Sequence, residues 1–156
     1  METVLAALAA SDLAQALRIS RWGYAAVNTS HVFGIALLVG GILPLDLRLL
    51  GAWPRVEASA LISVLVPTAA VGLVLAVLSG VLLFAVRPVE YAANPAFLVK
   101  IVLLCIAAAS AIATHLVWGR DLAQAPRTIQ ARAGAVSLVG WIGALVAGRM
   151  VAYVGD

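Results

Sequence analysis

Four long stretches of the chain carry almost no charge, and this feature restricts the possible folds more than any other. Segments 22–45 and 58–86 contain no charged residue, and segments 91–119 and 133–155 contain a single one each. Each segment exceeds the roughly 20 apolar residues that a helix needs to cross the hydrocarbon core of a bilayer. The pattern therefore predicts a membrane protein with four transmembrane helices.

The composition agrees with a membrane location. Of the 156 residues, 64% are hydrophobic and 11% are charged, whereas a soluble domain is about half apolar and one quarter charged. The net charge of +3 comes from scattered arginines and not from a basic run, so the sequence predicts no binding to nucleic acid. The single cysteine, Cys105, excludes an intrachain disulfide and leaves the redox compartment open.

The connections between the apolar segments are short. The stretches "GAWPR", "RPVEYAANP" and "GRDLAQAPR" combine Gly or Pro with charged residues, as loops do. We predict an all-α fold, an up-down bundle of four transmembrane helices in one domain of residues 1–156, with both termini on one face. The predicted helices are 22–50, 58–86, 95–119 and 131–154.

Two local signals mark helix starts. The stretch "SDLAQALRISRW" predicts a short interfacial helix at about 11–20, which Ser11 or Asp12 can cap. Asn94 followed by Pro95 is typical of an N-cap and a first helical position, so the third transmembrane helix is predicted to begin there.

The arginines differ in number between the two predicted ends of the bundle. The end with the termini carries Arg18, Arg21 and Arg87, and the opposite end carries Arg48, Arg55, Arg120, Arg127 and Arg132. The positive-inside rule then predicts cytoplasmic loops at the second end and extracytoplasmic termini.

Polar side chains within the apolar segments are the candidate functional residues. They are Asn28, His31, Lys100, His115, Arg149 and the pair Asp46 and Arg48. With a rise of 1.5 Å per residue, His31 lies about 13 Å below the end that carries the termini, and the Lys100 backbone about 8 Å. Arg149 returns to the same end, so we predict a cluster of His31, Lys100 and Arg149, with Asn28 as a partner of His31.

His115 belongs at the opposite end of the bundle. It is about 30 Å from the start of its helix on the same scale. There it is predicted to join Asp46 and Arg48 in a second polar cluster, and its simplest role is an interfacial hydrogen bond.

His31 and Lys100 each allow two interpretations. The His31 ring either donates to a neighbouring carbonyl as a structural group or binds a metal or haem through a neutral imidazole. Lys100 either extends toward the interface or lies in the bundle as a neutral amine. A neutral amine beside an imidazole would be an acceptable axial pair for haem iron. Arg149 would then neutralise the haem propionates or, in the simpler interpretation, extend to the surface near its helix end.

Small residues form stripes on three of the predicted helices. Such stripes are ordinary helix-packing surfaces, although a flat porphyrin would also need them. The stripes are His31, Gly34, Leu38, Gly41 and Leu45 on the first helix, Lys100, Leu104, Ala107, Ala111 and Thr114 on the third, and Gly140, Gly143, Ala147 and Gly148 on the fourth.

Three stretches carry a resemblance to known families. "HVFGIALLVGGILPLDLRLLG", "EYAANPAFLVKIVLL" and "GRMVAY" resemble a family of small four-helix bacterial membrane proteins of unknown function, which implies the bacterial inner membrane. More distantly, the chain resembles the HemJ-type protoporphyrinogen oxidases, in which the presumed haem ligands correspond to His31 and Lys100. The first helix is also similar to that of copper-resistance, CopD-like membrane proteins.

The leading hypothesis is a membrane haem b protein with His31 and Lys100 as axial ligands of the iron. It would transfer electrons between a quinone or protein partner and an acceptor, or act as an oxidoreductase. The first alternative is a transporter or ion-conducting protein with a relay of Lys100, His115 and Asp46. The second is a structural or assembly subunit, and self-association through the glycines of the fourth helix is open in every case.

Overall fold

A computed structural model describes residues 2–154. It confirms the predicted all-α fold, since the described residues form seven α helices and one 3₁₀ helix and no strand. In chain order these are α1 (Glu2–Ala9), α2 (Asp12–Ile19), α3 (Arg21–Leu50), α4 (Ala58–Val86), α5 (Pro88–Ala93), α6 (Pro95–Val117), the 3₁₀ helix (Gly119–Gln124) and α7 (Arg127–Val154). Helices α3, α4, α6 and α7 are long and apolar enough to cross a membrane, so the chain is a multi-pass membrane protein.

The last long helix begins earlier than the predicted residue 131. Helix α7 starts at Arg127, directly after Pro126, whose carbonyl accepts from the Ile129 and Gln130 N–H groups at 2.8 and 3.1 Å. Apolar periodicity does not report this first turn, because only Ile129 of its four residues is apolar and the buried Gln130 is polar. Helix α1, helix α5 and the 3₁₀ helix, of 8, 6 and 6 residues, were likewise not predicted.

The predicted caps at Ser11 and Asn94 are confirmed. The Ser11 hydroxyl accepts from the Ala14 N–H at the start of α2. The Asn94 Oδ1 atom accepts from two N–H groups of the first turn of α6, at 3.0 and 3.2 Å. Asn94 also donates through Nδ2 to the Val151 carbonyl at 3.1 Å, which holds the start of α6 against the end of α7.

We call the end of the bundle that carries α2, α5 and the end of α7 the terminal face, and the opposite end the loop face. Helix α2 folds onto the terminal face, where Arg18 donates to the Val86 carbonyl at 2.6 Å. Ala14 of α2 is fully buried there, whereas Ile19 and Trp22 are more than four-fifths exposed, at 84% and 82%.

Glycines allow the backbones of α3 and α4 to touch. A Cβ atom on Gly72 would lie 2.5 Å from the Leu38 nitrogen and 2.7 Å from the Gly34 carbonyl oxygen. Gly41 makes an equally close approach to the Leu65 carbonyl. The glycine stripe of the first transmembrane helix is therefore a helix-packing surface.

The other small-residue stripes also contact neighbouring helices. Gly140 of α7 lies against Ala107 of α6, and Gly134 lies against the Asp46 carbonyl of α3. Trp141 occupies the centre of the bundle. Around it pack side chains from the other three long helices, namely Leu38, Ala69 and Ala107.

Candidate functional site

His31 lies on the side of α3 that faces α4. Its Nδ1 atom is 2.8 Å from the Ala76 carbonyl oxygen and 3.2 Å from the Ser79 hydroxyl oxygen. Ser79 itself donates to the Leu75 carbonyl at 2.5 Å. Because a carbonyl oxygen can only accept, Nδ1 carries the ring proton, and the lone pair of the neutral imidazole is then on Nε2.

Gly80 of α4 lies against the ring atom next to Nδ1. A Cβ atom at this position would lie 3.1 Å from the His31 Cε1 atom. The His31 ring is therefore held at Nδ1 by the hydrogen bond to Ala76 and at Cε1 by the close approach of Gly80. Its orientation is set by α4 and not by residues of its own helix.

Lys100 reaches the same level of the bundle from α6. Its side chain runs over Gly148 of α7, where a Cβ atom would meet Lys100 Cδ at 3.4 Å and Cε at 3.5 Å. The ammonium lies 5.9 Å from the centroid of the Phe97 ring. Within residues 2–154, Lys100 forms no salt bridge. His31 and Lys100, two of the predicted site residues, thus lie at a similar level of the bundle, on α3 and α6.

Among the described residues, neither Arg149 nor Asn28 forms a hydrogen bond with His31 or Lys100. Arg149 is exposed, donates to the Tyr153 hydroxyl at 2.8 Å and lies 5.1 Å from the centre of its ring. Consecutive helical residues are rotated by about 100°, so Arg149 faces outward because Gly148 faces Lys100. Asn28 is also exposed, and Ser79 of α4 occupies the hydrogen-bonding place beside His31 that the sequence suggested for it.

The three residues of the predicted second cluster have separate environments. Asp46 is buried between α3 and α7, with 3% of its surface exposed. Arg48 closes the α3–α4 connection by donating to the Val56 carbonyl at 2.6 Å and to the Pro54 carbonyl at 3.4 Å. His115 is exposed on α6. These residues therefore form no common site.

An aromatic cluster that the sequence reasoning missed lies on the terminal side of Lys100. Phe84, Tyr91 and Phe97 pack with ring centroids 5.4 to 6.2 Å apart, joining α4, α5 and α6. Burial raises the pKa of the Tyr91 phenol, and the neighbouring Tyr24 adds to this effect. One feature of the sequence could have predicted this cluster. Tyr91 and Phe97 lie three residues before and three residues after the Asn94 cap, so both rings lie near the start of α6.

A cavity of about 440 Å³ opens beside this aromatic cluster at the terminal face. It is lined by both polar and apolar side chains, namely Arg18, Tyr24, Leu83, Val86, Arg87 and Tyr91. The aromatic cluster and this cavity together form the terminal-side boundary of the region that contains His31 and Lys100.

The chain matches no model of a known protein family, and neither a curated protein nor a solved structure matches it. The described residues also contain no group of three or more His, Cys, Asp or Glu side chains placed to hold a metal ion. The nitrogen-bearing side chains of His31 and Lys100 are therefore the candidate ligands.

Proposed function

We propose that this protein is an integral membrane haem b protein in which His31 and Lys100 are the two axial ligands of the iron. The observation that carries the proposal is the hydrogen bond from His31 Nδ1 to the Ala76 carbonyl. Histidines that bind metals usually donate their other ring N–H to a carbonyl or carboxylate, which fixes the tautomer and strengthens the ligand. His31 has this arrangement, and the lone pair of its Nε2 atom is available to bind a metal.

Lys100 supplies a second nitrogen from the opposite side of the bundle. Its amine is half-buried and has no carboxylate partner among the described residues. An unpaired ammonium is unfavourable in an apolar bundle. Coordination of a neutral amine to iron would remove this cost. The donor chemistry of the pair therefore fits a low-spin haem, whereas Arg149 is omitted from the proposed site because it contacts Tyr153.

The proposed activity is electron transfer, either to and from a quinone or protein partner or as an oxidoreductase. Haem supplies one-electron chemistry when it is bound. Ala76, Ser79 and Gly80 hold the imidazole, and the Phe84, Tyr91 and Phe97 cluster packs on the terminal side of Lys100. The relay alternative has less support, because Lys100, His115 and Asp46 face different parts of the described structure.

The absorption spectrum of the purified protein tests this proposal. We expect a Soret band when the chain is produced with ample haem and purified in detergent, and its loss in His31→Ala. His115→Ala is the matched control, because His115 is the only other histidine and is exposed, so this variant keeps its haem. Lys100→Ala should retain haem with an altered spin state.

Two outcomes would contradict the haem proposal. One is folded wild-type protein without a Soret band, and the other is a normal haem content in His31→Ala. Cofactor-free protein that conducts protons or ions in liposomes would support the transport alternative. Cofactor-free protein without flux, in which the same changes affect only stability or association, would support a structural subunit.

The proposed location is the bacterial inner membrane, with extracytoplasmic termini. Support for this orientation comes from the excess of arginines at the loop face over the terminal face in the sequence. The lipid bilayer is the immediate partner of the exposed apolar side chains on the long helices. Gly140 and Gly148 of α7 are covered by α6 of the same chain, so self-association would use another surface.

A further inference from the structure

Two buried polar atoms lack a hydrogen-bond partner among the described residues, and they belong to facing helices. One is Oδ2 of Asp46 on α3, and the other is Nε1 of Trp141 on α7. Asp46 is 3% exposed and Trp141 is 4% exposed. Buried polar groups are normally paired, so an acceptor and a donor left open in one interface indicate a common partner.

The packing of α7 against α3 brings the two side chains toward the same level. A Cβ atom on Gly134 would lie 2.9 Å from the Asp46 carbonyl oxygen, so the two backbones touch there. Ser137, one turn further along α7, lies beside the Asp46 carboxyl. Trp141 follows one turn later in a hydrophobic cluster with Leu38 of α3, and Ile42, one turn before Asp46, packs against the same cluster.

The directions of the two side chains also bring Asp46 and Trp141 closer to each other. Every side chain of a helix leans toward the N-terminus of that helix. Because α3 and α7 are antiparallel, Asp46 leans toward the terminal face and Trp141 leans toward the loop face. The two side chains therefore lean toward each other along the α3–α7 interface, and Ser137 lies between Gly134 and Trp141 in the sequence of α7.

Among the described side chains, no charged group forms a salt bridge with the Asp46 carboxyl. The nearest cation on the same helix, Arg48, donates to the Val56 and Pro54 carbonyls. The single salt bridge of the described residues joins Arg87 and Glu90 at the terminal face. The described ionisable side chains nearest to it on the neighbouring elements are exposed, namely Glu57 directly before α4, Asp121 in the 3₁₀ helix, and Arg127 and Arg132 in α7.

We propose that Asp46, Ser137 and Trp141 form a hydrated carboxylic-acid site, in which one buried water joins the Asp46 carboxyl to the Trp141 N–H and Asp46 exchanges a proton. The indole N–H can only donate, so the molecule between the two groups must accept from Trp141 and donate to Asp46. Water does both, whereas a metal cation would face the indole hydrogen. This site is independent of the proposed haem ligands.

The proton balance of the site is simple. In the acid form, Asp46 holds the proton and the water bridges it to Trp141. On release, the proton leaves through this water, and the carboxylate accepts hydrogen bonds from the water and from Ser137. A polar cavity of about 390 Å³, lined among others by Arg48, Arg127 and Gln130, opens at the loop face. Gln130 is one helical turn, about 6 Å, from Gly134, so the loop face is the nearest source of solvent.

Infrared spectroscopy of the full-length protein in liposomes tests the proposal. Near neutral pH we expect a carboxylic-acid carbonyl band that is lost in Asp46→Asn and that shifts to lower frequency in D₂O, because the bridging water exchanges the proton. Trp141→Phe removes the donor that holds the water, so the band should remain but change in frequency. The matched control is Trp53→Phe, since Trp53 is 53% exposed, and its spectrum should equal that of the wild type.

A second measurement needs no variant of the site. A hydrophobic carbodiimide reacts with protonated carboxyls in apolar surroundings, so it should modify Asp46 in the wild-type protein, and peptide mass mapping would locate the adduct. A water-soluble carbodiimide should modify the exposed Glu57 and Glu90 instead. An unmodified Asp46, or identical infrared bands in wild type and Asp46→Asn, would overturn the acid site. A band that does not shift in D₂O would overturn the bound water.

Discussion

At the scale of single residues, His31 and Asp46 are accommodated in the bundle in different ways. His31 has its ring proton bound by the Ala76 carbonyl of the neighbouring helix. Asp46 is more deeply buried, yet one of its carboxyl oxygens has no partner among the described residues. A satisfied polar group can be structural or functional, whereas an unsatisfied one needs a further molecule.

The hydrogen bond of His31 predicts its tautomer. We expect nitrogen NMR of histidine-labelled protein, in the cofactor-free state near neutral pH, to show a protonated Nδ1 and an unprotonated Nε2 for His31. The chain has two histidines, so His115→Gln assigns the signals. A His31 ring that is protonated on Nε2 instead would contradict the ligand geometry.

The sequence predicted part of the candidate site because depth in a membrane follows from residue count. Depth alone placed His31 and Lys100 at one level. Rotation about a helix axis is harder to predict, because a long apolar helix in lipid has no polar side to mark its orientation. For this reason Asn28 and Arg149 were assigned to the site although both are exposed, and Ser79 was missed.

At the scale of helices, the close contact of α3 and α4 depends on positions without a side chain. The backbone atoms nearest to Gly72 belong to α3 itself, so a methyl group there cannot be accommodated by a rotamer change. Gly40 belongs to α3, and a Cβ atom there would have nothing within 4 Å. Replacing each glycine by alanine therefore separates the cost of overpacking, at Gly72, from the gain in helix propensity, at Gly40.

We predict that Gly72→Ala forces α3 and α4 apart and lowers the free energy of unfolding by about 1–3 kcal/mol, as overpacking does. Gly40→Ala should leave it unchanged or raise it by up to about 1 kcal/mol, because alanine favours a helix. Unfolding in mixed micelles titrated with sodium dodecyl sulfate measures both values. Equal effects of the two changes would show that the contact is not as close as described.

The start of α6 provides a second prediction at this scale. Asn94 both caps the helix through Oδ1 and donates through Nδ2 to Val151. Asn94→Ala removes both interactions and should lower the free energy of unfolding by about 1–2 kcal/mol. Asn94→Asp keeps the acceptor and should recover part of this loss. If the aspartate variant is as unstable as the alanine variant, the cap contributes nothing.

Helix positions were predictable where a cap or a long apolar run marks them. The Ser11 and Asn94 caps are such cases, and α3 and α4 follow charge-free runs almost from end to end. Helix α5 and the first turn of α7 have neither signal, and there the Arg87 carbonyl accepts from the Tyr91 N–H and the Pro126 carbonyl from the Ile129 and Gln130 N–H groups.

At the scale of the whole molecule, the two ends of the bundle differ in chemistry. The terminal face combines aromatic rings with α2 and α5, and His31 and Lys100 lie beneath it. The loop face has a polar cavity with Arg48 and Arg127, and Asp46 lies nearer to it. The proposed haem site and the proposed acid site therefore lie toward opposite sides of the membrane.

The orientation of the molecule decides which compartment each site faces, and cysteine labelling can measure it. In a Cys105→Ser background, which removes the single native thiol, Glu90→Cys places a thiol at the terminal face and Glu57→Cys places one at the loop face. Both side chains are exposed, and acidic residues contribute little to topology. With extracytoplasmic termini, a membrane-impermeant maleimide should label Glu90→Cys in spheroplasts, and Glu57→Cys only after permeabilisation. The reverse pattern would place the termini in the cytoplasm, and the proposed haem site would then face the cytoplasm.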